Sequence, residues 1–245
     1  MGNLNYKYYN KESFEDFACG RVIVHKAGMT NFPVRLAGEI FKRCMEYTNK
    51  NTDISLYDPC CGSGYMLTVL GLLNPQIIGR IFYSDVSYEA ISLAQTNLSL
   101  LSEQGLLKRK HKILNMIDEY NKQSHIEALS SIDKFIEIVK NRITEPIIEC
   151  FVADVLNPNM LKEVSFKSDV VFVDVPYGNL ASWSDKIDNA VNVLLDNIKP
   201  ILHKDSVIAI STDKNQKIKN SLYKRLEKFK VGKRQIEILK LEESA

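Results

Sequence analysis

Short runs rich in β-branched and aromatic residues alternate along this chain with segments of helical spacing, and no other feature limits its architecture as strongly. Six such runs are predicted strands: Ile54–Tyr57, Ile78–Ser84, Ile147–Val152, Val170–Asp174, Ser206–Thr212 and Gln235–Leu241. They are continuous apolar stretches rather than alternating ones, as expected of a mostly parallel sheet covered on both faces. Between the first two, Tyr65–Leu73 is a predicted helix that stops at Asn74-Pro75, because proline cannot continue a helix and restricts the residue before it. After the second, Ser87 is placed to cap a helix in which Ala90, Ile91, Ala94 and Leu98 share one face. This β-α-β order predicts a doubly wound α/β fold.

Two segments extend that plan. Residues 102–145 form a predicted helical insertion between the second and third strands, with Ile126, Leu129, Ile132, Ile136, Val139 and Ile143 on one stripe. Residues 1–50 form an N-terminal extension in which Arg21–His25 resembles a short strand and Val34–Tyr47 a helix entered through a turn at Thr30–Pro33. Without a linker-like stretch, 1–245 is expected to be a single domain.

With 245 residues, 45% of them apolar and 25% charged, the chain has material for a sizeable core, and disorder, collagen and coiled coil are excluded. An apolar stretch near the roughly 20 residues of a membrane helix is lacking, and the polar, Tyr-rich start has no signal-peptide core. A cytoplasmic protein with no membrane partner is therefore expected. Cys19, Cys44, Cys60, Cys61 and Cys150 are odd in number and lack the spacing of a zinc site, which predicts reduced cysteines and no metal. The net charge of +2 is small, but between Lys214 and Arg234 nine basic residues face the single acid Glu227. That segment suits contact with phosphates, as does the shorter cluster Lys108–Lys112, although a solvated helix face explains either one by itself.

In open α/β sheets, ligands bind beyond the carboxyl ends of the strands. The first strand ends in Asp58-Pro59-Cys60-Cys61-Gly62-Ser63-Gly64, where glycines permit a tight turn and close approach to backbone N–H groups. The second ends in Asp85, suited to accept both hydroxyls of a ribose, against the plainer reading of a helix-capping acid. The third leads to Asp154, which fits either contact with an adenine amine or an ordinary loop acid. The fourth ends in Asp174-Val175-Pro176-Tyr177. A dinucleotide site also shows Gly-x-Gly followed by an acid, but the third glycine of that fingerprint is missing here.

Asp174, Pro176 and Tyr177 fit methyl transfer to nitrogen. A carboxylate and a backbone carbonyl can hold the N–H hydrogens of a flipped base while the ring stacks on it. Positioning is most of what transfer from an already activated sulfonium requires. Asp58 suits the donor's amino group, directly or through water, against the plainer reading that it only orders the loop, and Cys60 and Cys61 suit small loop positions better than a nucleophile that attacks a pyrimidine. Trp183 fits both stacking on RNA and anchoring the next helix.

The run Leu56–Tyr65, the helix after it, the segment Phe32–Ala37 and Asp174–Gly178 together resemble the avilamycin-resistance rRNA methyltransferase A family over nearly the whole chain. The resemblance implies a class I (Rossmann-like) methyltransferase fold, S-adenosylmethionine (SAM) as cofactor, large-subunit ribosomal RNA as partner and a guanine as acceptor. It further implies that Phe32 and Arg35 cover the donor or hold its carboxylate, beside Asp58, Cys60, Gly62, Gly64, Asp85 and Asp154. Asp-x-Pro-Tyr usually accompanies methylation of an exocyclic amine, whereas the family's product is N1-methylguanine. N1 and the 2-amino group are neighbours on one base edge, so both atoms stay open. A monomer is expected. The competing readings are a methyltransferase acting on DNA or a small molecule, and a catalytically silent SAM- or RNA-binding module.

Overall fold

The computed structural model describes residues 4–29, 31–175, 189–214 and 216–242. Seven strands form one sheet in the order β3-β2-β1-β4-β5-β7-β6. β1 (Ile54–Asp58), β2 (Ile78–Asp85), β3 (Ile147–Val152), β4 (Ser168–Asp174) and β5 (Leu202–Asp213) are parallel. β7 (Arg234–Leu241) runs antiparallel between β5 and the edge strand β6 (Tyr223–Val231). This is the predicted class I arrangement, with strand order reversing beside β1, where the Asp58–Gly64 turn leaves the sheet.

All five residues of β1 are buried because the sheet is covered on both sides. Leu56 faces one apolar cluster with α1 (Val34–Met45), α2 (Tyr65–Leu73) and α3 (Tyr88–Leu98). Tyr57 faces the other, with α6 (Ala190–Ile198) and the irregular segment 153–167. From that segment Phe166 stacks on Phe82 with centroids 4.0 Å apart and meets Tyr57 edge-on at 5.4 Å, closing the core without a helix. Ser87 caps α3 as expected, its Oγ accepting from the Ala90 N–H at 3.3 Å.

Residues 102–145 hold a pair of helices, α4 (Glu103–Tyr120) and α5 (Gln123–Lys140), joined through Asn121 in the left-handed region. Ala128, Ile132, Phe135 and Val139 are its buried stripe, while Ile126 is exposed and Ile143 lies beyond the helix end, 85% exposed. Arg142 fastens the hairpin by donating to the carbonyls of Pro75, Leu101 and Gly71, which lie near helix ends.

Two expectations are corrected. Arg21–His25 is irregular rather than a strand. Its polar groups are met by side chains from far away in sequence: Asn97 pairs with both the N–H and the carbonyl of Val24, and Arg109 donates to the carbonyls of Val22 and Arg21. The basic stretch 214–234 is not a helix face, since its middle is β6. Its cations are partly internal as well: Lys228 and Arg225 sit 2.7 and 3.3 Å from Glu237, which is 1% exposed.

The N-terminal segment is strapped to α1. Glu39, fully buried, accepts from the backbone N–H groups of Lys7, Tyr8 and Tyr9 and from Arg43 Nε. Tyr9 packs so closely on Gly38 that a Cβ there would lie 2.5 Å from its ring.

Candidate functional site

The turn after β1 is built for backbone rather than side-chain contact. Gly62 (φ +51°) and Gly64 (φ +69°) are both left-handed, a region that other residues enter at a cost. At Gly64 a Cβ would also stand 2.9 Å from that of Ala94 on α3. The turn is tied to the end of β2, because Asp85 Oδ2 accepts from the Gly62 N–H and Oδ1 from the Ser87 N–H, each at 3.0 Å. Asp58 Oδ1 likewise accepts from the Cys60 N–H at 3.0 Å. The Asn97 side chain adds a donor bond to the Ser63 carbonyl, so one amide joins α3, the turn and the N-terminal segment.

Around this turn lies a cavity of about 320 Å³, within the range of small-molecule sites. Asp58, Cys60, Gly62, Asp85, Phe32 and Asp174 all line it. A smaller hollow of about 60 Å³ continues from it, shares Cys60 and Asp85, and is walled by Asp154, Val86 and Val155. Asp154 Oδ1 accepts from the Leu156 N–H at 2.9 Å, which fixes that loop. Six of the eight residues assigned to a donor, Asp58, Cys60, Gly62, Asp85, Asp154 and Phe32, thus come together on one continuous surface. Gly64 shapes the turn from behind the wall.

Arg35 does not join them. Its guanidinium donates to the Tyr9 carbonyl at 2.8 and 2.9 Å and lies 3.6 Å from the Tyr6 ring centroid, so it anchors the N-terminal segment instead of a ligand. Pro176, Tyr177 and Trp183 lie outside the described residues. Three residues of the site had no sequence signal beyond their type. Gly28 and Met29 of the N-terminal segment form one wall. Arg234, the first residue of β7, reaches Asp174 Oδ2 with Nη2 at 3.6 Å and sets its guanidinium 5.1 Å from the Phe32 ring centroid. Its position follows from pairing with Asp213 at the end of β5, next to the Asp174–Ser211 pair.

The electrostatics favour a cationic ligand. Burial pushes the Asp58 carboxyl well above the usual carboxylate range, and the nearby Asp85 and Asp174 push it further. Burial and four neighbouring carboxylates, those of Asp58, Asp85, Asp154 and Asp174, also push up the Cys60 thiol, which argues against a thiolate nucleophile there. A positive group among these acids offsets the cost of their ionisation, and a sulfonium with an α-amino group carries two such charges. The donor set therefore fits SAM: acids for its cations, a carboxylate at a strand end for its ribose, and an apolar hollow for a flat base.

Comparison with known proteins places the whole chain rather than the site. A family model described as rRNA methyltransferase AviRa matches residues 4–234. The 23S rRNA (guanine(2535)-N(1))-methyltransferase of Streptomyces viridochromogenes is 37% identical over 226 residues, covering 89% of this chain and 88% of that protein. The solved structure of the rRNA methyltransferase aviRa from Streptomyces viridochromogenes superposes with a TM-score of 0.86 at 34% identity over 94% of both chains. TrmN from Thermus thermophilus, at 12% identity and a TM-score of 0.51 over 88% of this chain and 51% of that one, shares the fold alone.

Proposed function

The chain belongs to the AviRa family of rRNA methyltransferases, and on that footing we propose that it transfers a methyl group from SAM to N1 of a guanine in large-subunit ribosomal RNA. The observation that carries the reading is the convergence of Asp58, Asp85 and Asp174, from the ends of three neighbouring strands, on one cavity beneath a glycine turn. When bound, SAM supplies a methyl group already activated on a cationic sulfur. Asp85 accepts the ribose hydroxyls with lone pairs that its two backbone bonds leave over, and Asp58 faces the α-amino group. Asp154, with Val86 and Val155, takes the adenine. Asp174 addresses the acceptor base together with Pro176 and Tyr177, while Phe32 covers the cavity between donor and acceptor.

The RNA approaches over the ends of β5 and β7, where Lys214 and Lys233 are exposed and their backbones are joined by a 3.0 Å bond from Lys214 N–H to the Lys233 carbonyl. Exposed Lys217 extends this rim. Lys224 and Arg225 lie at the far end, since β6 starts opposite Leu241 and runs toward the cavity, its last residue Val231 pairing with Arg234.

Labelled SAM incubated with naked large-subunit rRNA and with assembled subunits, followed by mass-spectrometric mapping, tests the proposal. Label on guanine N1 is expected. Label on another base, on the 2-amino group, or only on DNA or a free nucleoside overturns it.

A further inference from the structure

A guanine N1 carries a hydrogen, so its lone pair is not available to a methyl group until that proton leaves. The donor's sulfur offers no base. The site must therefore hold one, and the cavity contains three carboxylates. Asp85 has both oxygens engaged by backbone N–H groups on the donor side, and Asp58 is engaged by the N–H of Cys60. Among the described residues, Asp174 is the one cavity carboxylate with an ion pair, to Arg234 at 3.6 Å. Its second oxygen, Oδ1, is buried on the side of Ser211, whose hydroxyl stands beside it on β5. One oxygen thus faces a cation and the other a hydroxyl, and the carboxylate they hold lines the cavity.

We propose that Asp174 takes the N1 proton of the target guanine and that Arg234 is the positioning residue that keeps it ionised to do so, an inference that rests on the guanine-N1 reading above. The N1–H bond breaks with its proton passing to Asp174 while its electron pair remains on nitrogen. N1 then bonds the methyl carbon, and the electrons of the sulfur–methyl bond stay on sulfur, leaving a neutral thioether. The positive charge lost from sulfur is balanced by the proton on Asp174, which passes to solvent.

The charged surroundings fit this assignment. Asp58 from β1, Cys60 from the turn and Asp85 from β2 share the cavity with Asp174, and Asp213 ends β5 beside Ser211. Burial pushes the Asp174 carboxyl up, and the Ser211 hydroxyl and then the Arg234 guanidinium oppose that push. Among the described groups around it, Arg234 is the one cation.

The test is a single-turnover pH profile with rRNA as acceptor for wild type, R234M, R234Q, R234K and D174N, with SAM affinity measured beside it. Activity needs the ionised carboxylate, so the wild-type rate falls on the acidic side. Without the cation the folded pKa rises, and in R234M and R234Q the acidic limb moves up by about one pH unit or more. R234K returns most of that shift, SAM affinity changes less than about twofold, and D174N loses the reaction at every pH.

A loss in R234M and R234Q that is the same factor at every pH gives Arg234 a structural role and overturns its part. Retained activity in D174N overturns the base. A wild-type rate with no acidic limb down to the lowest pH at which the protein stays folded overturns the proposal without any variant having to fold. Wild type that transfers no methyl to guanine N1 places the failure in the underlying function, not in the pair.

Discussion

The donor side and the acceptor side of the cavity hold their carboxylates by different means. Asp58, Asp85 and Asp154 are each bonded to backbone N–H groups within the loops they shape, at 2.9 to 3.0 Å. Asp174 is instead faced by a side-chain cation from another strand, at 3.6 Å. Backbone bonds fix a charge rigidly and suit the parts of a ligand that do not change during the reaction. A side-chain pair leaves the carboxylate able to gain and lose a proton, which suits the end where bonds are made. On the proposed function, the difference separates the half that binds the donor from the half that reacts.

The comparison is broken most directly at Asp174. D174N is expected to lower methyl transfer by about 10²- to 10⁴-fold, the range for losing a general base, while donor affinity stays near wild type. Single-turnover kinetics and calorimetry measure the two terms separately, and a parallel loss of both would place Asp174 in the donor half. The converse change, Asp85→Ala, should weaken SAM and its demethylated product alike by about 10- to 100-fold, because hydrogen bonds to a charged group are lost and the turn is loosened. Equal affinity in wild type and variant would remove the ribose from Asp85.

Gly64→Ala sharpens the comparison by attacking only the scaffold. The left-handed backbone and the contact with Ala94 together should cost about 2 to 4 kcal/mol of stability, read as a lower urea midpoint. An unchanged midpoint would mean that the start of α2 relaxes freely. The smallest effect concerns the rim. Replacing Lys214, Lys217 and Lys233 with Gln should flatten the salt dependence of rRNA binding by about 0.7 log units for each phosphate that is no longer neutralised, with SAM affinity untouched. Replacing Lys228 instead should lower stability, since it neutralises the buried Glu237.

The binding half was largely legible in the sequence. Glycines, acids at strand ends and β-branched runs mark strands and their terminal turns through local chemistry, so β1 to β5, β7 and the turn after β1 were legible as structure. β6 was not, because its charged residues are satisfied laterally, Glu227 by Arg43 and Tyr47 and Lys228 by Glu237, and leave little apolar alternation. Arg35 was misplaced because its partners, Tyr6 and Tyr9, lie in an extension without periodicity. Arg234 was visible only as one charge among nine, since its place beside Asp174 depends on the register of β5 with β7. Gly28 and Met29 become a wall through bonds from Asn97, 73 residues from Val24.

Those long-range bonds also order events in time. The segment that walls the cavity precedes its partners along the chain: Asn97 and Arg109 hold it, and Phe135 packs on Phe17 with centroids 5.1 Å apart. Its nearer contacts, from Glu39 and Arg35 to residues 7–9 and from Tyr65 to the Phe17 carbonyl, can form before those from Asn97, Arg109 and Phe135. Contacts so distant along the chain are slow to form, because loop-closure entropy precedes their reward. The wall made by Gly28 and Met29 is therefore completed late in folding, once Asn97 and Arg109 hold the backbone that leads into it.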